Sequence, residues 1–420
     1  MTTRKVTTLI VGGGQAGLAM SRALTLRGID HLILDRERVG HAWRARPWQQ
    51  LRLQTPNWAN ALPGADTHDL DPDAFLPARA MTGRLETYAE MIDAPVEEYC
   101  DVLAARATGD GFALATNQGP FHARSLVIAS GACARPAIPA LAGGVPDAIR
   151  QIPASAYRRA QDVPEGGVLV VGASASGVQI ASELSAAGHR VTLAAGTHLR
   201  LPRRYRGRDI DVWLDAIGSM DERFDAVDDI ARVRRTPSPQ ITGWPVSVDL
   251  GALQARGVEL VGRLGAIRDG QALFSGGLAH ACAAADLKLA RLRDRIDTWV
   301  QETAPASGFA TPERLTPEPL VPTPVPANAR LGIDLRAGEI QTIVWATGYR
   351  PDLSWLDLPV FTRKGELDHQ GGVVTGAPGL YALGLPFLRR RRSPLISGVG
   401  PDADDLADHL AARLRQSTAA

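Results

Sequence analysis

Apolar positions along the chain fall into two copies of one unit. The first opens with Leu9, Ile10 and Val11, passes Gly12, Gly14 and Gly17, and continues through an Ala- and Leu-rich stretch to a second apolar run before Asp35. Short apolar runs bounded by glycine read as buried strands and the stretch between them as a helix, giving strand, tight turn, helix, strand. The second copy starts at 167–171, turns through Gly172, Ser174, Ser176 and Gly177, runs helical over 178–187 and returns as a strand over 190–194. Further helices are expected at 83–92, 284–301 and 403–415; in the second of these Leu289, Leu292, Ile296 and Trp299 share a face. Short strands are expected across 96–128, and again at 340–345 and 379–384.

Three stretches break this rhythm. Residues 60–80 read as irregular. Residues 205–245 scatter Tyr205, Trp213, Phe224 and Trp244 among many charges, as a lid or substrate wall over a site would. Residues 303–330 hold seven prolines, which makes a stiff extended connector.

The first glycine spacing has a mechanical reason. Gly12 allows a sharp turn off the strand, Gly14 lets backbone approach a pyrophosphate, and Gly17 lets the helix pack close to the sheet. Asp35 lies 23 residues past Gly12, where a carboxylate accepts from ribose hydroxyls. In the second copy Ser174 stands at the middle glycine position, hindering close approach without excluding it. That copy ends in Ala194 and Ala195, followed by His198, Arg200, Arg203 and Arg204, and arginines there accommodate a 2′-phosphate, so NADPH is expected over NADH. Between the copies, Trp43, Trp48 and Trp58 with Arg44, Arg46 and Arg52 suit a segment lying along a dinucleotide.

With 420 residues the chain can hold two or three domains. A net charge of +1 sets up no global field for nucleic acid or an anionic membrane, although arginines cluster at 203–208 and 389–392. The second cluster reads as a solvated charge run as readily as a functional one. Cys100, Cys133 and Cys282 lie far apart and suggest neither disulfides nor a zinc site; they are expected as small buried hydrophobes. The apolar run after Arg4 and Lys5 is too short for a signal peptide and no run approaches a transmembrane length, so a cytoplasmic protein is expected. Isolated histidines such as His31, His122 and His369 are expected to be surface or structural residues, not catalytic ones.

In order, Gly12-x-Gly14-x-x-Gly17 with Asp35, Gly40-x-x-Trp43-Arg44, Ser130-Gly131, the loop from Gly172 to Gly177, the run 346–352 (ATGYRPD) and the run 381–386 (YALGLP) form a pattern. It resembles the class B flavoprotein monooxygenases, which include flavin-containing, Baeyer–Villiger and N-hydroxylating enzymes. The resemblance implies an α/β fold of two Rossmann-like dinucleotide-binding domains, the second inserted into the first. Residues 1–150 and 336–420 would bind FAD and 151–335 would bind NADPH, with the lid at 205–245 and the connector at 303–330 inside the latter.

The same resemblance implies roles for individual residues. Gly12, Gly14 and Gly17 would hold the FAD pyrophosphate, Asp35 its ribose, Trp43 and Arg44 its middle, and Val102 the adenine, with Ser130, Gly131 and Gly384 closing the cradle. Gln54 would face the reacting side of the flavin as the catalytic candidate. Gly172, Ser174, Ser176, Gly177 and Arg204 would bind NADPH, and Thr347 with Gly348 would sit at the domain junction. The implied reaction oxygenates a small organic substrate with O2 through a flavin C4a-(hydro)peroxide, with no nucleic-acid or membrane partner.

The pattern also departs from its relatives. The aromatic, glycine and histidine positions of the fingerprint before the second loop are Asp147, Ile149 and Pro153 here, with only Tyr157 retained, and Leu385 stands where many flavoproteins carry Asp. These departures keep open a redox-neutral or dehydrogenating flavoenzyme, and a flavoprotein without turnover. Disulfide reductases of the same fold need two neighbouring cysteines, which this chain lacks.

Overall fold

The apolar run before each glycine loop becomes the centre of its own parallel sheet in the computed structural model, which describes residues 2–45, 48–309, 317 and 319–419. Arg46 of the aromatic segment and part of the proline-rich connector lie outside the described residues. The first sheet is built from β1 (Arg4–Val11), which leads into α1 (Gln15–Thr25), and from β2 (His31–Leu34). After α2 (Met81–Met91) it gains β3 (Val96–Glu97), β4 (Val102–Thr108), β5 (Gly111–Thr116) and β6 (Gly119–Ile128), in the order β3-β2-β1-β6-β5-β4. β1, β2, β3 and β6 run parallel, while β4 and β5 fold back as an antiparallel meander. Leu9 and Ile10 of β1 and Leu126 and Val127 of β6 carry no solvent-exposed surface.

The second sheet repeats the device. It comprises β7 (Arg150–Pro153), β8 (Gly167–Val171), which leads into α3 (Ala175–Ala186), and β9 (Arg190–Ala195). β10 (Glu259–Gly262), the long helix α4 (Leu278–Glu302) and β11 (Ile340–Trp345) complete it, in the all-parallel order β10-β9-β8-β11-β7. The chain then returns to the first sheet: β12 (Leu380–Ala382) pairs with the last residues of β6, and α5 (Val399–Ala419) ties to α1 through Arg27 with Asp404 and Asp408.

Two expectations shift. The strand at 340–345, assigned from the sequence to the returning first domain, pairs with β8 and β7 in the second sheet, Ile343 opposite Leu169 and Val344 opposite Val170. Its run of buried apolar residues needs neighbours on both sides, and the second sheet supplies them. α4 also starts earlier than expected, because Leu278, Cys282 and Ala285 continue its buried face.

The segment 205–245 holds a two-residue hairpin and the short helices Ile210–Ala216 and Ile230–Arg234. It lies against the arginine cluster of the returning chain. Phe224 N–H donates to Arg389 O (2.9 Å), Arg391 N–H to Glu222 O (3.1 Å) and Arg392 N–H to Met220 O (3.0 Å). Every arginine of 389–392 is paired: Arg389 with Asp405, Arg390 with Asp402 and Asp405, Arg391 with Glu222, and Arg392 with Asp215 and Asp221. The cluster is therefore a clasp between two parts of the chain and not a solvated run.

Asp402 sits at its buried end, with a fully enclosed side chain that accepts from Arg390 (2.5 Å) and from Ser393 Oγ (2.5 Å). Removing one member of a buried ion pair strands the other charge, at about 3–5 kcal/mol. Arg390→Ala is therefore expected to lower the unfolding midpoint in urea sharply, and Arg390→Met combined with Asp402→Leu to recover most of the loss. Equal stabilities for wild type and Arg390→Ala would rule this account out.

Candidate cofactor sites

Both glycine loops lie at the carboxyl end of a central strand whose neighbours connect in opposite directions, the switch point where parallel sheets bind ligands. In the first loop Gly12 has φ +114°, and a Cβ on it would fall 2.4 Å from Ala129 O. A Cβ on Gly17 would fall 1.9 Å from Gly12 O, so only glycine lets α1 pack this close. At Gly14, which precedes α1, nothing lies within 4 Å of where a Cβ would point. That leaves room for a phosphate against the free N–H groups of the helix start.

The structure places the remaining residues of this cradle as follows. Asp35 accepts from Gly13 N–H (2.5 Å) and Glu37 N–H (2.9 Å), while Cys100 N–H donates to Asp35 O (2.8 Å), which brings the start of β4 at Val102 to the same edge. Ser130 carries a buried hydroxyl without a partner beside Gly131. A Cβ on Gly384 would come within 2.9 Å of Ala16. Trp43 donates to Gln15 Oε1 at the start of α1 (3.2 Å). Arg44 instead pairs with Glu86 (2.5 Å), so the cation expected along the middle of the FAD is already engaged.

The second loop copies the first. Gly172 has φ +109°, and a Cβ on Gly177 would fall 1.8 Å from Gly172 O. Ser174 has φ −88° and ψ −172°, against −87° and −171° for Gly14. Ser174 and Ser176 line a cavity of about 760 Å³, together with Thr347, Gly348, Thr197, Arg235 and Arg263. Thr347 Oγ1 donates to Ala137 O (2.8 Å) and Ala137 N–H to Gly348 O (2.9 Å), where the chain crosses between the sheets.

Arg204 is not part of that lining. It projects into solvent from the hairpin and donates to Gly207 O (2.8 Å). Arg200 is taken by Asp249 and Asp286, and Arg203 is buried elsewhere. The arginine at the strand end is Arg263, one residue past β10: Gly196 follows β9, and a Cβ on it would lie 3.2 Å from Arg263 Cγ. A sequence signal existed in Gly196, since a residue without a side chain there leaves room for the Arg263 side chain from the neighbouring strand. Gln240 was equally silent. Its buried amide donates to Ala173 O (2.9 Å) and braces the second loop.

A family model described as pyridine nucleotide-disulphide oxidoreductase matches residues 9–227, more than half of the chain. The chain belongs to the pyridine nucleotide-disulphide oxidoreductase family. An uncharacterized CzcO-like oxidoreductase of Geobacillus kaustophilus is 29% identical over 408 residues, 96% of this chain and 98% of the relative. Indole-3-pyruvate monooxygenase YUCCA4 of Oryza sativa subsp. japonica is 26% identical over 97% of this chain and 87% of its own. Among solved structures, a flavin-containing monooxygenase from Stenotrophomonas maltophilia superposes with a TM-score of 0.67 at 18% identity, covering 98% of this chain and 99% of that one. The fold is thus that of the flavin monooxygenases. The family name does not carry a disulfide reaction to this member, whose three thiols are unbridged, Cys100 and Cys282 buried and Cys133 exposed where a third buried hydrophobe was expected.

Two further titratable groups of this family member are buried between parts of the chain distant in sequence. Burial raises the Glu183 carboxyl, which accepts from Trp48 Nε1 (2.7 Å) and Tyr157 OH (3.2 Å); the surviving aromatic of the broken fingerprint is a junction residue. Burial, and then the Arg234 guanidinium, push the His369 imidazole down to about 4, and its Nδ1 accepts from Gly372 N–H (3.1 Å). A histidine in the unfolded chain titrates near 6.5. As pH falls from 6.5 to 4 the unfolded chain takes up a proton that the folded one refuses, so stability is full above 6.5 and is lost across that window. The loss is roughly 3 kcal/mol. His369→Asn keeps an acceptor for Gly372 and is expected to flatten the fall in urea stability between pH 6.5 and 4; an unchanged slope would count against a neutral imidazole.

Proposed function

We propose that the protein is an FAD-dependent monooxygenase that uses NADPH, with the NADPH-binding sheet inserted into the FAD-binding one. The observation that carries this reading is the pair of matched loops, each closed by a glycine contact that admits no side chain and each opening a helix toward the carboxyl end of its own parallel sheet. The residues fit two dinucleotides. Space at Gly14, the orphaned Ser130 hydroxyl and the Asp35 carboxylate suit FAD, and the cavity at Ser174 and Thr347 suits a nicotinamide dinucleotide. The similarity to two named monooxygenases supports the same class.

FAD, when bound, supplies hydride acceptance and oxygen activation. The chain's residues supply placement. The amides after Gly14 and Ser174 bind pyrophosphates, and Asp35 orients a ribose through its hydroxyls. Arg263, with Thr197, takes the 2′-phosphate in place of Arg204. Gln54 would serve the reacting side of the flavin, and the positive end of α5, in the chain that returns after Gly384, would favour negative charge on it. The substrate is a small organic molecule that shares the site with O2.

Anaerobic stopped-flow mixing of the yellow protein with NADPH and then NADH tests this reading. Fast bleaching by NADPH, with return of the yellow colour once O2 is admitted, is the expected result; no bleaching by either nucleotide would remove it. Arg263→Ala is expected to raise the Kd for NADPH about tenfold and leave that for NADH unchanged, in line with loss of one charge-assisted phosphate contact. Arg204→Ala is expected to change neither, and an Arg204→Ala protein that loses NADPH would reverse the assignment.

A further inference from the structure

The segment that carries Gln54 is gripped from the other sheet's side by three separate contacts. It pairs with residues 75–77, Leu53 N–H donating to Leu76 O (2.9 Å) and Arg52 bridging to Pro77. Over this pair lie residues of the insertion. A Cβ on Gly243 would fall 2.3 Å from Leu53 O, so the two backbones touch where only glycine fits. The Arg52 guanidinium stacks on the Trp244 ring at 4.5 Å. The third contact is Arg203, whose side chain is 1% exposed.

Arg203 has a divided task. Its Nη2 donates to Asp209 Oδ1 (2.5 Å) and Asp211 Oδ2 (2.7 Å), so its charge is neutralised within its own stretch of chain. Its Nη1 is left for two carbonyls, Gln54 O (2.7 Å) and Thr242 O (3.1 Å), and the guanidinium lies 4.9 Å from the centre of the Phe75 ring. One planar cation thus joins the insertion to both strands of the pair that carries Gln54. A buried ion pair alone would need only the two aspartates. The forward reach to a backbone carbonyl in the other module is what that role leaves unexplained.

We propose that Arg203 is the positioning residue for Gln54. By holding the Gln54 carbonyl and the Phe75 ring together, it fixes the Gln54 backbone against the insertion, and so would set where the Gln54 side chain meets a bound flavin. This rests on the reading of Gln54 given above. Gly243 serves the same end by permitting the backbone contact one residue away.

The test uses full-length holoprotein and three variants: Arg203→Lys, Gly243→Ala and Gln54→Ala. Lysine keeps the charge for the aspartates, but its single head cannot also span the two carbonyls. In Arg203→Lys, hydrogen exchange of peptides covering 52–56 is expected to rise at least tenfold while peptides covering 8–35 stay unchanged, and the flavin absorption band is expected to shift. The rate constant for reduction by NADPH should fall about tenfold with NADPH affinity retained. Gly243→Ala should follow the same pattern. Combining Arg203→Lys with Gln54→Ala should slow reduction no further than Gln54→Ala alone. Multiplicative losses in that double variant, or unchanged exchange at 52–56, would overturn the proposal. If no nicotinamide reduces the wild type, the monooxygenase reading falls, and unchanged exchange and flavin spectrum in Arg203→Lys would still refute the positioning contact.

Discussion

A helix can point its first amides at the end of a strand only if the two backbones approach more closely than side chains allow. In this chain that constraint is met twice with nearly the same numbers, the would-be Cβ of Gly17 lying 1.9 Å from Gly12 O and that of Gly177 lying 1.8 Å from Gly172 O. The rest of the architecture follows from it. The strand before each loop must be central and parallel, so its residues are apolar on both faces, and the ligand space opens at the carboxyl end, where the connections diverge. The cavity at the second loop and the cradle of Ser130, Gly131 and Gly384 at the first are consequences of that packing.

Placing the two sites relative to each other is a different problem, and polar contacts solve it. Among the described residues the insertion shares a small apolar cluster, Tyr205, Ile210, Trp213 and Ile241 against Ile296 of α4. Its outer side is held by Arg391 and Arg392 through Glu222, Asp215 and Asp221, and its inner side by Arg203. Half-exposed ion pairs contribute little singly and are screened by salt, whereas the enclosed ones at Asp402 and Arg203 depend on every partner being present. The sheets are therefore held by apolar packing and the insertion chiefly by polar contacts.

This division explains what could be read from the sequence. Both loops, the strands around them, Asp35 and the junction at Thr347 and Gly348 were legible because each depends on residues close in the chain or on an apolar run. Arg204 was reached by counting along the chain from β9, whereas the arginine that lines the cavity beside that strand end is Arg263, which is known only once β10 is placed beside β9 with Ala195 opposite Gly262. The partner of Arg44 was hidden for a similar reason, since Glu86 lies on a helix 42 residues away. The domain boundary slipped at β11 because an apolar run does not say which sheet it enters. Arg203 was seen as one of several arginines, and nothing local separated the buried one from the exposed ones.

Ser174 looked like a defect and is better understood as a difference in kind. Its backbone angles match those of Gly14 within a degree, so the serine costs the turn nothing, and it stands at a helix N-cap, where serine is favoured. What changes is the space in front of the helix. At Gly14 that space is open, and a phosphate can lie directly on the amides; at Ser174 a Cβ occupies it and a hydroxyl lines the cavity instead. Backbone-only contact suits a group that stays, because nothing has to move for it. A hydroxyl that can rotate toward the ligand or away from it suits one that enters and leaves. The loops thus share a backbone but offer different surfaces, open amides at the first and a side-chain hydroxyl at the second.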